Sequence, residues 1–373
     1  MPGKDVLVVN AGSSSLKLAV LDPGDQVTAS LELERWEGGA DHPELSDFVA
    51  GQRGIGVAGH RVVHGGRDYT GPVLVDQAVL AGIGALTDLA PLHQRRALAG
   101  IEAVRRVLPG VPAVACFDTA FHAGLPAAAA TYALPAQWIQ RFGLRRYGFH
   151  GLSHAYAARR AAQLLGADPV ALRIVTCHLG AGASLAAVSG GRSVDTTMGF
   201  TPLEGLVMNT RSGSVDPGLI VWLAQHGGLS PADLADGLEH ESGLAGLADL
   251  PTGDLRDVRA AAEEGSAAAS LAIEVYLHRL RREIAAMAAA MNGLDALVFT
   301  GGVGEHDAGI RAGAAAGLGF LGVAVDPGRN VAATGDTEIT AAGAPVRTLR
   351  ITAREDVEIA RQARELIHPG LVK

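Results

Sequence analysis

Three turns rich in glycine or serine, each following a predicted strand, carry the first chemical signal in this sequence. They are N-A-G-S-S-S (10–15), H-L-G-A-G-A-S (178–184) and G-G-V-G-E (301–305), and Lys17 lies just beyond the first. Serine hydroxyls and turn N–H groups can bind phosphate oxygens, and glycine lets the backbone approach an anion closely. One such turn alone is equally compatible with an ordinary hairpin. Three of them at strand ends predict nucleotide binding.

The flanks of these turns add to that prediction. Asn10 ends the first strand, and an asparagine there can orient a metal-bound water. The third turn opens a helical pattern, and a helix N-terminus favours a negative group. The run G-x-x-x-x-G-K-S/T does not occur in the sequence, so a P-loop enzyme is excluded.

Four ionisable residues stand in otherwise apolar surroundings. Arg61 lies in a strand-like run, Asp118 at the carboxyl end of a buried strand, His150 just before a helix and Arg211 in a loop. Purely structural interpretations are also open, in which Asp118 caps a helix and Arg211 pairs with Asp216. The neighbouring motifs carry His60, His64 and His122, which are interpreted as structural histidines rather than catalytic ones. No histidine spacing resembles a zinc site.

Hydrophobic periodicity predicts the elements that position these residues. Strands are predicted at 5–10, 16–21, 26–33, 113–117, 172–178, 183–188, 193–197, 296–300 and 346–351. Helices are predicted at 92–108, 217–226, 255–291 and 355–367. The order strand, phosphate-sized turn, strand, turn, strand occurs twice, each time followed by helices and further strands. A duplicated α/β unit with a ligand cleft between its halves is therefore expected, although accidental similarity of two meanders is the alternative.

Bulk composition limits the class of protein. A chain of 373 residues exceeds one ordinary core, so two domains are expected. The net charge of −8 excludes a strong basic field and argues against a nucleic-acid partner. No apolar stretch is long enough and free enough of charge for a membrane span. The two cysteines, Cys116 and Cys177, lie in apolar runs, which favours a reducing cytoplasm over a disulfide framework.

Taken together, the motifs resemble those of acetate kinases. They are N-A-G-S-S-S-L-K (10–17), G-H-R-V-V-H-G-G (59–66), F-D-T-A-F-H (117–122), R-Y-G-F-H-G-L-S-H (146–154), H-L-G-A-G-A-S (178–184), M-G-F-T-P-L-E-G-L (198–206), T-R-S-G (210–213), D-L-R (254–256), F-T-G-G-V-G-E (299–305) and the Glu355 segment. They occur in order over nearly the whole chain, so chance similarity is excluded.

The resemblance implies the duplicated two-domain α/β fold of actin, sugar kinases and heat-shock chaperones (ASKHA, ribonuclease H-like), with a central nucleotide cleft. The N-terminal domain is expected at 1–121 plus 357–373, and the nucleotide-binding C-terminal domain at 122–356. The resemblance also implies a cytoplasmic homodimer and reversible transfer of a phosphoryl group from ATP to acetate. Mg²⁺ is the implied cofactor, and Mn²⁺ can substitute.

Site roles follow from the same resemblance, position by position. The implied catalytic residues are Arg61, Asp118, His150 and Arg211, with Asn10 and Glu355 on the metal side beside Asp118. The small acid would lie against Arg61, Val63, Leu92, Phe149 and Pro202. The implied nucleotide contacts are Ser15, Lys17, His178, Leu179, Gly180, Ala181, Gly182, Asp254, Leu255, Arg256, Gly301, Gly302, Val303, Gly304 and Glu305.

These roles agree with the chemistry of the reaction. A carboxylate substrate is already ionised near neutral pH, so it needs screening of charge rather than a general base. Arginine offers planar paired donors to carboxylate and phosphate, which lysine does not. Ala181 and Ser214 depart from the family pattern, which has asparagine and an acidic residue there, and the segment between Leu33 and Gly54 is shortened. The alternatives are a propionate or butyrate kinase and, in another class, a non-catalytic ATP-binding module.

Overall fold

The computed structural model describes residues 4–12, 15–34, 36 and 42–367, and for Pro91 and Leu92 it describes the backbone alone. The chain divides into two compact units. The first unit comprises Met1–Ala123, Phe149–Tyr156 and Arg354–Lys373, and the second comprises Gly124–Gly148 and Ala157–Ala353. Each unit is built on its own sheet.

The strands of the first unit, in chain order, are β1 (Asp5–Ala11), β2 (Ser15–Leu21), β3 (Val27–Glu34), β4 (Ile55–Val62), β5 (Val73–Leu74) and β6 (Ala113–Phe117). Those of the second are β7 (Arg173–Leu179), β8 (Ala183–Ser189), β9 (Arg192–Thr196), β10 (Ala296–Thr300), β11 (Thr337–Glu338) and β12 (Arg347–Arg350).

The helices in chain order are α1 (Pro43–Ala50), α2 (Gln77–Ala85), α3 (Pro91–Val107), α4 (Ala127–Ala130), α5 (Ala136–Phe142), α6 (Gly151–Leu165), α7 (Pro217–His226), α8 (Pro231–His240), α9 (Gly243–Ala248), α10 (Leu255–Glu263), α11 (Ala267–Ala290), α12 (Gly301–His306), α13 (Ala308–Ala316), α14 (Pro327–Ala332) and α15 (Glu355–Ile367). Among the described residues, none of these helices is both long and apolar enough to cross a membrane.

The first sheet has the order β3-β2-β1-β4-β6-β5. The strands β1, β4 and β6 run parallel, whereas β2, β3 and β5 pair antiparallel to their neighbours. Alternate residues of a strand face opposite sides, so Leu7 and Val9 of β1 enter one core with α1 and α3. Val6 and Val8 enter a second core, which α15 covers. The approach of α15 is close, since a Cβ on Gly59 would lie 2.6 Å from Ile359.

The second sheet has the order β11-β12-β10-β7-β8-β9. Here β7, β10 and β12 run parallel, and β8, β9 and β11 pair antiparallel to their neighbours. The long helix α11 packs against β7 and β8. Its buried residues recur every three or four positions, as an amphipathic helix requires: Ala269, Ala272, Tyr276, Leu280, Ile284 and Met287.

Read from the meander edge, the two sheets have the same strand order and the same strand directions, so the duplication predicted from the sequence is confirmed. The predicted strands agree with the structure to within two residues at each end. The predicted helix 255–291 is wrong in one respect, because the chain forms two helices, α10 and α11, there. Gly265 turns the backbone at a φ of +97°, and the Ser266 side chain then caps α11 by accepting from the Ala269 N–H.

The predicted domain limits fall close to two of the unit limits, at Ala123 and Arg354. The segment Phe149–Tyr156 belongs to the first unit, although it lies within the sequence range expected for the second domain. The limits of independently folding domains stay a prediction.

Candidate functional site

The carboxyl ends of β1, β4 and β6 bring the charged residues of the first unit together, because parallel strands end at one edge of a sheet. Arg61 is the centre of this group. Its Nη2 lies 2.7 Å from Oδ2 of Asp118, and its Nε lies 3.1 Å from each carboxylate oxygen. Its Nη1 donates to Oδ1 of Asn10 at 3.3 Å and lies 3.6 Å from Oε2 of Glu355, the first residue of α15.

The electrostatics of this cluster favour a permanently charged arginine. Burial alone would lower the pKa of Arg61, but the carboxylates of Asp118 and Glu355 outweigh burial and raise this pKa above its ordinary value. Asp118 is completely buried, and its charge is matched by the guanidinium. A carboxylate held in this way is poorly suited to abstract a proton.

His150 lies in the same unit, in a turn of unusual backbone conformation. Its φ is +55°, which is uncommon for a residue other than glycine. The next N–H, that of Gly151, donates to the carbonyl oxygen of Asp118 at 3.0 Å. On the preceding side, the carbonyl oxygen of Phe149 lies 3.0 Å from Nε2 of His122. The turn is thus bonded on both sides of His150, and one bond joins it to the backbone of Asp118.

The His122 ring is buried, and burial lowers its pKa to about 4, although the hydrogen bond to the backbone partly opposes this shift. The ring is therefore neutral near pH 7, and its Nε2 must carry the hydrogen that a carbonyl oxygen accepts. Phe149 is buried, and the centre of its ring lies 5.5 Å from that of the His64 ring, in an edge-on arrangement. Val63, which precedes His64 in the sequence, is also buried. Leu92 is the second residue of α3, and its side chain lies outside the described residues.

The first glycine–serine turn is only partly described. Ser13 and Ser14 lie outside the described residues, and the Gly12 N–H donates to the Ser15 carbonyl at 2.8 Å. Lys17 points to solvent from β2 and forms an ion pair with Glu32 at 2.9 Å. A phosphate contact by Ser15 or Lys17 stays a prediction.

A cavity of about 450 Å³ lies in the second unit, at the carboxyl ends of β7 and β10. Seven residues predicted to contact the nucleotide line it, and they come from three separate turns: Gly180, Ala181, Asp254, Leu255, Arg256, Gly302 and Val303. The sequence prediction did not assign Asn209, His306 and Asp307, which also line it. Their only sequence signal is position, since Asn209 precedes Arg211 by two residues and the other two directly follow the third glycine turn.

Other residues predicted as nucleotide contacts lie close to this cavity in the chain without lining it: His178, Leu179, Gly182, Gly301, Gly304 and Glu305. Gly301 is needed for backbone geometry. Its φ is +77°, and a Cβ there would lie 2.7 Å from the Leu179 carbonyl oxygen. The Glu305 carboxylate is turned inward, where it accepts from the Ala353 N–H at 2.8 Å and from Arg350 at 3.3 Å. Its buried ion pair explains why the side chain does not face the cavity.

Asp254 and Arg256 form the exposed rim of the cavity. The Arg256 side chain donates to Asp254, and together with its backbone N–H lowers the pKa of Asp254 to about 2. The carboxylate therefore stays ionised at any working pH, and its charge is matched locally. The other carboxylate that lines the cavity, that of Asp307, caps α13 and is paired with Arg259 at 2.7 Å.

Arg211 occupies a loop of the second unit that is fixed by backbone hydrogen bonds. The Ser212 N–H donates to Leu238 and the Ser242 N–H donates to Thr210. The Arg211 guanidinium donates to the Pro202 carbonyl oxygen at 3.3 Å, but among the described residues no carboxylate lies within ion-pair distance of it. Burial lowers the pKa of Arg211, with partial opposition from Glu239. The predicted alternative partner, Asp216, instead caps α7 by accepting from Gly218.

The loop that carries Pro202 is held by a cluster that the sequence did not reveal. Glu204 accepts from the Tyr132 hydroxyl at 2.7 Å and from Arg146 at 2.6 Å. Arg146 also donates to three successive carbonyl oxygens, those of residues 196–198. Tyr132 accepts from the Phe200 N–H, so the backbone next to Pro202 is fixed on both sides.

The first unit also offers oxygen ligands. Asn10, Asp118 and Glu355 present one amide and two carboxylate oxygens around Arg61, and hard oxygen donors of this kind suit Mg²⁺, which keeps several waters and phosphate ligands of its own. Within the described residues there is no cluster of three histidine, cysteine or acidic side chains around one point. The donor set therefore fits Mg²⁺ bound by few protein groups and does not fit a fully protein-coordinated metal.

Two α/β units of equal strand order, with an oxygen-rich charged cluster in one and a glycine-lined cavity in the other, are features of kinases with a duplicated α/β fold. The model of the acetokinase family matches residues 44–361, and the chain belongs to this family. It is 46% identical over 398 aligned positions to acetate kinase from Gloeobacter violaceus, covering 96% of this chain and 98% of that protein. It is 45% identical over 396 positions to acetate kinase from Leifsonia xyli subsp. xyli, covering 98% and 99%.

Solved structures agree with this membership. Acetate kinase from Porphyromonas gingivalis superimposes with a TM-score of 0.91 at 34% identity, covering 98% of this chain and 100% of that one. A propionate kinase from Francisella tularensis superimposes with a TM-score of 0.89 at 35% identity, covering 97% and 100%. The predicted family and the predicted duplicated α/β fold class are thereby confirmed.

Proposed function

We propose that this protein is an acetate kinase, which transfers the terminal phosphoryl group of ATP to acetate and catalyses the reverse reaction from acetyl phosphate and ADP. Membership of the acetokinase family and the names of its relatives support this proposal. The structural observation that carries it is the contrast between two arginines. Arg61 is fully matched by carboxylates, whereas Arg211 has no carboxylate partner among the described residues.

The state of Arg211 supports a role in binding an anion. A partly buried guanidinium without a carboxylate loses hydration and gains little in return, which is the reason that burial lowers its pKa. A carboxylate or phosphoryl group with its oxygens in one plane would restore the missing charge and accept two hydrogen bonds. In the proposal, Arg211 provides this contact to the acid or to the transferring group.

The proposed chemistry needs no general base. Acetate is ionised near neutral pH, and its oxygen can attack phosphorus once the repulsion between two anions is reduced. The proposal assigns this screening to Arg61 and Arg211 and a hydrogen bond to the transferring group to His150. The fixed turn around His150, bonded through Gly151 to Asp118, supports a positioning role for this imidazole.

Mg²⁺ belongs to the proposal, with Asn10, Asp118 and Glu355 as the residues that would hold it or its waters. When bound, the ion would offset negative charge on the phosphate oxygens. Arg61 already contacts all three of these residues, so it fixes their orientation. Mn²⁺ is expected to substitute, since it also prefers oxygen ligands.

The cavity of the second unit is the proposed nucleotide site. Its glycines let phosphate approach the backbone closely, and its polar rim at Asp254 and Arg256 is suited to ribose hydroxyls or phosphates. The proposal extends to His178, Leu179, Gly182, Gly301, Gly304 and Glu305 as neighbours of this site, and to Ser15 and Lys17 of the first turn.

The substrate could also be a longer acid, and the similarity to a propionate kinase favours this second candidate. Val63, Leu92, Phe149 and Pro202 are the proposed lining for the methyl group, and their types alone do not fix its volume. Steady-state rates with acetate, propionate and butyrate decide between the candidates. The highest kcat/KM with acetate supports the proposal, and the highest value with butyrate contradicts it.

A hydroxamate assay for acetyl phosphate tests the central claim. Purified protein with ATP, Mg²⁺ and acetate should form hydroxamate, and a reaction without acetate provides the matched control. A non-catalytic nucleotide-binding module would bind ATP and form none. In that case the proposed function is wrong, although the family assignment stands.

We extend the proposal to a cytoplasmic homodimer. Large apolar side chains remain exposed on three helices of the second unit, α7, α9 and α11, and exposed apolar surface is typical of sites that bind another protein: Leu219, Val221, Trp222, Leu247 and Leu271. Both cysteines are free and buried, which is compatible with a reducing compartment. Light scattering of the purified chain tests the dimer, and a monomer at micromolar concentration would contradict it.

A further inference from the structure

Asn209 is placed at the phosphate-sized turn of the nucleotide cavity by its own backbone. Its N–H donates to the carbonyl oxygen of Ala181 at 3.2 Å, and both residues line the 450 Å³ cavity. This hydrogen bond ties the loop 208–213 to the turn 180–182. The backbone of Asn209 therefore lies next to the turn, and the residue forms part of the cavity wall.

The backbone of Asn209 is held rigidly on its other side. Its carbonyl oxygen accepts from the Ala245 N–H at 2.9 Å, and the same oxygen lies so close to Gly253 that a Cβ there would approach it to 1.9 Å. The loop cannot move away from the cavity without breaking these contacts. The backbone that carries this side chain is thus fixed before any ligand arrives, so binding does not have to order the loop.

The Asn209 carboxamide is not used within the protein. Among the residues that the structure describes, it has no hydrogen-bond partner, although its neighbours Thr210 and Arg211 both bond to carbonyl oxygens of the protein. A side-chain amide has two N–H donors and one carbonyl acceptor. Its donors are thus available to a ligand in the cavity that the residue lines.

The turn itself has little to offer besides backbone. Gly180 and Gly182 have no side chain, Ala181 has a methyl group, and the Gly180 N–H is already bonded to the Gly182 carbonyl oxygen at 3.0 Å. The two carboxylates at the cavity are matched by arginines, at Asp254 and Asp307. A polyphosphate bound against this turn needs side-chain donors from elsewhere, and Asn209 is the neutral donor closest to the turn along the hydrogen-bonded backbone.

We propose that the Asn209 carboxamide donates a hydrogen bond to a phosphate oxygen of the bound nucleotide and so supplies the side-chain donor that Ala181 lacks. This inference rests on the nucleotide-binding part of the proposed function. It makes Asn209 a determinant of affinity for the phosphorylated nucleotide. The nucleoside part of the ligand is not involved.

Calorimetric titration with ADP and with adenosine tests this assignment on the full-length protein. N209A should weaken ADP binding about tenfold, which is typical for loss of a hydrogen bond to a charged group. Adenosine affinity should stay unchanged, since adenosine has no phosphate. N209D should bind ADP more weakly than N209A does, because a carboxylate at this position repels phosphate. An N209A protein that binds ADP as tightly as wild type, or loses equal affinity for adenosine, overturns the inference.

A compensating variant sharpens the test. Ala181→Asn combined with Asn209→Ala returns an amide to the turn and should recover most of the lost ADP affinity. The backbone bonds of position 209 to positions 181 and 245 do not involve side chains, so all variants are expected to keep them, and thermal unfolding checks that they fold. N209D retains the size of the side chain, so it tests the claim even where N209A fails to fold. No recovery in the double variant contradicts the proposed exchange of donors.

The proposed acetate kinase activity is tested separately. If wild type binds ADP and N209A weakens that binding while no hydroxamate is formed, the proposed reaction fails and the role of Asn209 stands. If wild type binds no ADP, both fail. If hydroxamate forms and ADP binds equally well in wild type and N209A, the reaction stands and the role of Asn209 is rejected.

Discussion

The strands β1, β4 and β6 of the first unit correspond, by order and direction, to β7, β10 and β12 of the second. At the carboxyl ends of the first set lie Asn10, Arg61 and Asp118, and the Arg61 guanidinium donates to both other side chains. At the ends of β7 and β10 lie glycine turns that expose backbone around a cavity. One duplicated scaffold therefore supports two different means of handling negative charge. The first uses matched ionic side chains, and the second uses bare peptide groups.

This contrast has an energetic basis. A buried ion pair is costly to break, because removal of one partner leaves the other charge without compensation. A glycine turn carries no such liability, but it depends on backbone conformations and close contacts that any larger residue disturbs. Substitutions in the cluster around Arg61 should therefore act through charge, and those in the glycine turns of the second unit through space.

The largest expected effect comes from the two arginines. Arg61→Ala and Arg211→Ala should each lower turnover about a hundredfold or more, because each removes a group that stabilises charge in the transition state. The two variants should differ in their free energy of unfolding. Arg61→Ala removes the ion-pair partner of buried Asp118 and should lower the free energy of unfolding by about 3 kcal/mol. Arg211→Ala should lower it less, because among the described residues Arg211 has no carboxylate partner that would be left unpaired. Hydroxamate rates and urea unfolding measure both quantities. Near-normal rates in both variants, or equal losses of stability, would break the comparison.

Two neighbouring glycines of the third turn form the next test. Gly301→Ala should lower the free energy of unfolding by about 3 kcal/mol, because its φ is +77° and its Cβ would meet the Leu179 carbonyl oxygen. Gly302→Ala is the matched control, since a Cβ there meets nothing within 4 Å. It should leave stability unchanged within about 0.5 kcal/mol, yet weaken ADP binding by filling cavity space. Urea unfolding and ADP titration distinguish the two, and a stable Gly301→Ala would contradict the strain argument.

Mild acid should lower the stability of the first unit more than that of the second. Burial lowers the pKa of His60 to about 3 and those of His64 and His122 to about 4, all in the first unit. The unfolded histidines bind protons near pH 6.5 while the folded ones do not, so stability falls as the pH drops through that value. Between pH 7 and pH 6 the loss should be about 2 kcal/mol for the three together.

In the second unit, burial raises the pKa of Asp195. This carboxyl group binds a proton more readily in the folded state, so its contribution to stability rises as the pH falls, opposite to that of the histidines. Carboxyl groups with lowered pKa values, such as Asp254, do not titrate in this range. Hydrogen exchange at pH 7 and pH 6 should therefore show loss of protection in the strands of the first unit before those of the second. Earlier loss in β7, β8 and β10 would reverse the comparison.

The smallest effect is expected at an exposed charge of the first unit. Lys17 and Glu32 form an ion pair, but their side chains are 58% and 51% exposed, and such pairs contribute little. Lys17→Ala should change the free energy of unfolding by no more than about 0.5 kcal/mol, and Glu32→Ala should match it. A loss comparable to that of Arg61→Ala would show that exposure does not separate the two kinds of ion pair.

Much of the fold could be predicted because its signals are local. The period-two pattern of β1 and the glycine turn after β7 depend only on neighbouring residues, and both strands occur where predicted. The break between α10 and α11 was missed, because Ser266 also suits a helical surface and acts as a cap only once Gly265 has turned the chain.

The site was harder to predict where it depends on distant partners. The pairing of Arg61 with Asp118 spans 57 positions, and no local pattern distinguishes Asp118 as a partner from Asp118 as a helix cap. Glu305 was grouped with the glycines beside it, but Arg350 on β12 draws its carboxylate inward. Asn209 has no distinctive sequence signal, and it joins the cavity only through the fold of the loop around Gly253.

The helix α15 has a consequence for biosynthesis. Val357, Ile359 and Ala360 complete a core of the first sheet, and Glu355 joins the group around Arg61, yet these residues are translated after the whole of the second unit. The second unit needs only chain that precedes Arg354. Domains generally fold as units as they leave the ribosome. The nucleotide cavity can therefore form before α15 is translated, whereas the ionic cluster around Arg61 is completed only after α15 has been translated.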